Sequence, residues 1–249
     1  MLSFKTPAQW LLAAGCAFAV AGCDPQPTQQ AGPPVKNWMV EPFDKSPQVL
    51  LTNGAAFTDG QRMDGASAFL VQAGAQRYAV TAKHLIGEDG GIEPKKLPSH
   101  LNAELGIWQL FARRQASDTL LIDQLLNTVD ADSSDALVFS VKAGKTSYQA
   151  LVPRYDAPAK GEEVYLIGCP YAEPDCRQNR YPVRVVETSP KEYLLTKNQT
   201  PELKGFSGCP VVDKQGQVIG LLSFSVKYQT GEEYSLITPI GVVEAYLKK

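Results

Sequence analysis

Beyond residue 48, apolar segments of about four to eight residues alternate with Gly, Pro, Asn and Asp, and this rhythm restricts the fold more than any other feature. The segments fall at 66–72, 77–81, 104–111, 136–141, 164–168, 183–187, 193–196, 210–213, 218–225 and 234–238. They are rich in Val, Leu, Ile, Tyr and Phe, side chains that fit a pleated, half-buried surface. The pattern predicts an all-β domain, sandwich or barrel. Lys214-Gln215-Gly216-Gln217 reads as a hairpin turn between two of the strands. Residues 241–249 read as a short helix, with Val242, Val243 and Tyr246 on one face and two lysines at the end where the helix dipole favours cations. Residues 120–127 fit helix and strand equally well.

The first residues obey different rules. A single basic residue, Lys5, precedes an apolar run from about Trp10 to Ala21, with small residues before Cys23. That is a secretory signal in outline, too short for a membrane-spanning helix. Val20-Ala21-Gly22-Cys23 resembles the bacterial lipobox, so residues 1–22 are expected to be removed and Cys23 to carry lipid. An acyl chain anchors without a protein span, since each buried CH2 contributes roughly 0.8 kcal/mol. Asp24 then resembles the signal that retains lipoproteins in the inner membrane of enteric-type bacteria. A lipid-anchored, periplasm-facing protein of the bacterial envelope is expected. Residues 23–47, rich in Pro and Gln, read as a tether, and 48–249 as the domain.

The formal net charge is −2 and the basic residues are not clustered, which gives no nucleic-acid footprint. Of the five cysteines, Cys16 falls in the leader and Cys23 is expected to carry the lipid, leaving Cys169, Cys176 and Cys209. An oxidising compartment favours pairing two of them. The short CPYAEPDC loop makes Cys169–Cys176 the preferred bridge, one that restricts the unfolded chain by roughly 2–3 kcal/mol. A metal site is disfavoured, because no CxxC spacing occurs and only two histidines are present. No cofactor is expected.

Gly205-Phe206-Ser207-Gly208 places a serine in a glycine-flanked turn just before a strand. A plain tight turn would look the same. A nucleophilic serine needs a base to take its proton and amide donors aimed at the developing oxyanion, and flanking glycines let the backbone supply those donors. His84, at the end of Tyr78-Ala79-Val80-Thr81-Ala82-Lys83-His84, is a candidate base. His100 lies in a Pro-containing loop and reads as a surface residue. Asp135 precedes the apolar strand Ala136-Leu137-Val138-Phe139 and is a candidate orienting carboxylate, whereas Asp130 and Asp132 lie in a polar loop. Each also reads singly as an ordinary structural residue. Together they run His…Asp…Ser, an order that differs from Ser…acid…His and Asp…His…Ser.

Three motifs in that order resemble the chymotrypsin-like, trypsin-type serine peptidases. Val80-Thr81-Ala82-Lys83-His84 resembles the segment around the family's histidine, Asp135-Ala136-Leu137-Val138 that around its aspartate, and Gly205-Phe206-Ser207-Gly208-Cys209-Pro210 that around its serine. Gly220-Leu221-Leu222-Ser223-Phe224-Ser225 resembles the substrate-binding strand. The resemblance implies two packed six-stranded barrels meeting near residues 148–160 and a catalytic triad of His84, Asp135 and Ser207. It also implies an oxyanion hole from the N–H groups of Gly205 and Ser207, and substrate binding along Ser223, Phe224 and Ser225. A polypeptide is the implied substrate.

Two departures stand out. Phe206 replaces the acid that pairs with a newly cut N-terminus in zymogen-activated members. Pro201 stands where basic-specific members carry an acid, with Glu202 beside it, which disfavours a preference for Arg or Lys. The resulting expectation is an envelope-tethered serine endopeptidase; a second reading is a catalytically idle lipoprotein that binds polypeptides in the cleft between barrels.

Overall fold

A computed structural model describes residues 37–42, 45–113, 115–173, 176–197 and 202–247. The expected signal, Cys23 and Asp24 lie outside them, as does Pro201. The first barrel comprises β1 (Leu51–Phe57), β2 (Arg62–Ala73), β3 (Gln76–Thr81), β4 (Leu105–Ala112), β5 (Gln115–Leu125) and β6 (Leu137–Val141). The second comprises β7 (Glu163–Gly168), β8 (Asn179–Thr188), β9 (Tyr193–Thr196), β10 (Pro210–Val212), β11 (Val218–Lys227) and β12 (Glu233–Pro239). Each sheet closes on itself, in the orders β1-β2-β3-β6-β5-β4 and β7-β8-β9-β12-β11-β10, so one topology is used twice. Closure leaves no edge strand exposed, which is how an antiparallel sheet of short strands becomes self-contained.

β2 shows why the barrels hold. Ala68, Phe69, Leu70 and Val71 are all fully buried, a run without alternation because one face fills the barrel and the other is covered. Trp108 and Phe139 meet across the first core with ring centroids 4.7 Å apart. The connector between barrels stitches them together. Leu151 donates to Leu70 O at 2.8 Å and accepts from Gln72 N at 2.8 Å, while Val152 O accepts from Val218 N at 2.9 Å.

The structure changes or completes five readings of the sequence. β1 was not foreseen, because Asn53 and Gly54 interrupt its apolar pattern. Asn53 is nevertheless fully buried, with its amide on Ser67 O at 3.1 Å and its oxygen accepting from Trp108 Nε1 at 3.2 Å. Residues 120–127 resolve as strand over most of their length. His100 sits in α1 (Pro98–Glu104), not in a loop, and Pro98 at the helix start fits because its missing N–H has no intrahelical partner there. Finally, part of the expected tether is packed: Trp38 is buried and donates from Nε1 to Gly216 O at 3.1 Å, beneath the Arg180 guanidinium. The C-terminal helix is a 3-10 helix, Ile240–Tyr246.

Candidate active site

His84 follows β3 in a 3-10 turn, Lys83–Ile86, that opens after the buried Ala82. Asp135 stands two residues before β6. The buried Asn127 fixes the backbone there, donating to Ala136 O at 2.8 Å and accepting from Val138 N at 2.8 Å. With its strand pinned in this way, Asp135 reaches His84 twice. One carboxylate oxygen accepts the His84 main-chain N–H at 2.8 Å, and the other meets Nδ1 at 2.8 Å. A carboxylate only accepts, so the ring proton lies on Nδ1 and the lone pair is left on Nε2. Both side chains are about one-sixth exposed, at 18% and 17%. Asp130 and Asp132 do not reach this histidine: Asp130 accepts from Ser99 N at 2.9 Å and Ser99 Oγ at 2.7 Å, and Asp132 turns back to Ser134 N at 2.8 Å.

The Ser207 loop arrives from the second barrel and is held against the first. Ser67 N donates to Ser207 O at 2.8 Å, and Ser67 Oγ donates to Gly205 O at 2.8 Å. Gly208 lies at φ +82°, and a Cβ there would lie 2.7 Å from Thr81 Oγ1 and 3.0 Å from Ala82 N, two residues from His84. Glycine is therefore required at this contact by both backbone conformation and space. Behind the serine, Phe206 is fully buried, packed on Gly168 and 5.5 Å ring to ring from Tyr181. An apolar plug thus stands directly before the serine.

The amide groups of this loop divide in an informative way. Phe206 N donates to Leu203 O at 3.0 Å, Gly208 N to Leu222 O at 2.8 Å and Cys209 N to Phe206 O at 2.7 Å. Among the described residues the N–H groups of Gly205 and Ser207 donate to no protein acceptor. No hydrogen bond joins Ser207 Oγ to His84 among those residues; such bonds are often long without substrate and tighten when it binds.

Of the expected substrate strand, Ser223 is buried and shares a 2.8 Å hydrogen bond with Thr238 Oγ1, while Phe224 and Ser225 are exposed. A bulge between Leu222 and Phe224 sets Ser223 and Phe224 beside Asp135 in the wall of a cavity of about 340 Å³, whose apolar side is completed by Leu236 and Val242. Cys169 and Cys176 are joined in a disulfide, with Cα atoms 5.8 Å apart. Cys209 is free and buried, and burial pushes its thiol well above the usual range, so it is a packing residue and not a second nucleophile.

A family model for the trypsin-like peptidase domain matches residues 66–221, a span that contains His84, Asp135 and Ser207. The chain belongs to that family. Among solved structures, the trypsin-like fold is shared with the active form of the Rv3671c protease from M. tuberculosis. That protein is 16% identical with a TM-score of 0.53, covering 83% of this chain and 82% of that one. The serine endoprotease from Yersinia pestis is 17% identical with a TM-score of 0.54, covering 86% of this chain and 66% of that one. No curated protein sequence matches.

Asn127 and Ser67 were not singled out in the sequence, although both shape the trypsin-like site. A lone Asn at a strand end and a lone Ser after Gly-Ala carry no local signal, because their roles depend on strands distant in sequence.

Proposed function

We propose that this trypsin-like peptidase domain is an envelope-tethered serine endopeptidase acting through an acyl-enzyme. Ser207 Oγ attacks the scissile carbonyl carbon while His84 Nε2 takes its proton. Asp135 holds the ring in the required tautomer and stabilises the imidazolium. The carbonyl oxygen becomes an oxyanion facing the Gly205 and Ser207 N–H groups. His84 then passes its proton to the departing amine, the C–N bond breaks, and water releases the acyl group by the reverse proton path.

The observation that most supports this reading is the double hold of Asp135 on His84, through main chain and ring. A solvated surface pair would have no need of both. The tether rests on sequence alone: Cys23 carries the lipid, Asp24 favours the inner membrane, and Cys23→Ser should abolish incorporation of labelled palmitate.

Hydrolysis of fluorescently labelled casein tests the catalytic reading. The wild-type protein should cleave it, and Ser207→Ala, folded to the same melting temperature, should not. Equal cleavage by both would remove Ser207 from the mechanism. No cleavage by either, with casein retained on the protein, would favour the idle polypeptide-binding reading.

A further inference from the structure

An oxyanion hole works only if its N–H groups point into the cleft, and a peptide plane beside a left-handed glycine turns easily. Gly205 lies at φ +94° and Gly208 at φ +82°. The direction of the two donors must therefore be imposed by contacts outside their own linkages.

In a trans peptide the C=O and N–H point in opposite directions, so holding the carbonyl aims the amide. The Ser207 N–H belongs to the Phe206–Ser207 unit, whose carbonyl accepts from Cys209 N at 2.7 Å, within the turn itself. The Gly205 N–H belongs to the Lys204–Gly205 unit. Its carbonyl accepts from Tyr171 N, at 3.4 Å, in the loop that Cys169–Cys176 closes. Tyr171 secures the same unit sterically, since its ring covers Gly205 so closely that a Cβ there would lie 2.6 Å from Cε1.

Tyr171 is itself anchored at both ends. Its hydroxyl accepts the N–H of Ala66 in the first barrel, a non-glycine residue held at φ +52°. Its ring lies under the Arg113 guanidinium at 5.1 Å, and Arg113 also donates to Pro170 O at 2.9 Å. The next carbonyls are taken by Ser67, whose hydroxyl binds Gly205 O and whose N–H binds Ser207 O, each at 2.8 Å. The backbone irregularity in β2 at residues 65–67 thus grips the loop on both sides of Phe206.

We propose that Tyr171, which holds the Lys204–Gly205 unit, and Ser67, which fixes the peptide units on either side of Phe206–Ser207, are positioning residues that aim the Gly205 and Ser207 N–H groups into the cleft. The proposal rests on the peptidase reading above. It goes further in assigning the alignment of the oxyanion donors to a disulfide-closed loop of one barrel and a bulge of the other, with no newly cut N-terminus involved.

The test uses the full chain as wild type, Ser67→Ala, Tyr171→Phe, Tyr171→Ala and Ser207→Ala, with p-nitrophenyl acetate as the probe. Measured are kcat and KM across pH, together with melting temperature. Tyr171 is 40% exposed, so its truncation leaves no core cavity. Losing one oxyanion donor outright costs about 10²–10³ in kcat, so a misaimed one should cost about 10- to 100-fold in Tyr171→Ala and Ser67→Ala. KM and the acid limb of the pH profile should stay in place, because neither residue touches His84 or Asp135. Tyr171→Phe, which keeps the ring and the main-chain N–H, should recover most of the rate.

Wild-type kcat within about twofold in both alanine variants, with turnover still dependent on Ser207, would overturn this proposal and leave the peptidase reading intact. A loss of rate that follows a falling melting temperature or a shifted acid limb would also overturn it, as a merely structural effect. Turnover unchanged by Ser207→Ala, or absent from the wild type, would overturn both.

Discussion

His84 owes its tautomer to a single residue, and the consequence is sharp. Asp135→Asn replaces an acceptor-only group with an amide that can present N–H to Nδ1, leaving the ring proton on Nε2, where the proposed mechanism needs the lone pair. Turnover should fall by about 10⁴-fold with the fold intact, as judged by circular dichroism and kcat. A different carboxylate contributes to acid stability. The Lys96 ammonium, 2.5 Å away, together with Gln61, holds the Asp59 carboxyl at about 2. Its folded value is depressed below the unfolded value of about 3.9, so the stability it contributes is complete above that value and is lost as pH falls towards 2. Asp59→Asn should narrow the difference in melting temperature between pH 5 and pH 2.5; an unchanged difference would remove this pair from the acid response.

Among the elements, the serine loop depends on what lies behind it. Phe206 fills space that exists because Gly168 has no side chain: a Cβ there would fall inside contact distance of the Phe206 ring. Gly168→Ala should overpack this junction and cost about 1–3 kcal/mol, measured by denaturant unfolding. Phe206→Asp, which introduces the acid of zymogen-activated relatives, should destabilise more, because it buries a carboxylate beside an apolar ring and a glycine. The strands were legible because apolar residues recur between turn residues, and β9 was placed at its observed ends. β1 was not, since its Asn53 and Gly54 are set by contacts with Trp108, Ser67 and Gln109 that lie far off in sequence. The triad candidates were legible through their order and the small residues around them. Tyr171 was not, for nothing in CPYAEPDC says that its ring will cover Gly205.

For the whole molecule, the two barrels repeat one topology without a visible sequence repeat, and their direct contacts at Ser67, Ala66 and Arg113 are reinforced by the connector and by the N-terminal segment. Gln178 ties that segment to the second barrel, its Oε1 accepting from Val49 N at 3.0 Å and its Nε2 donating to Pro47 O at 2.7 Å. The domain therefore begins before residue 48. Trp38→Ala should cost about 3 kcal/mol and roughly 10 °C in Tm, and a chain starting at Gln48 should lose at least as much. Composition hid this boundary, because Pro and Gln mark a tether whether or not a tryptophan within it finds a pocket. The central claim, that the two barrels bring together an activated serine, is tested most directly by a fluorophosphonate probe, with the modified residue located by mass spectrometry. The account predicts stoichiometric labelling at Ser207 that disappears in Ser207→Ala and falls by orders of magnitude in His84→Ala. Labelling that persists in Ser207→Ala, or a folded wild-type protein that the probe leaves unmodified, would contradict it.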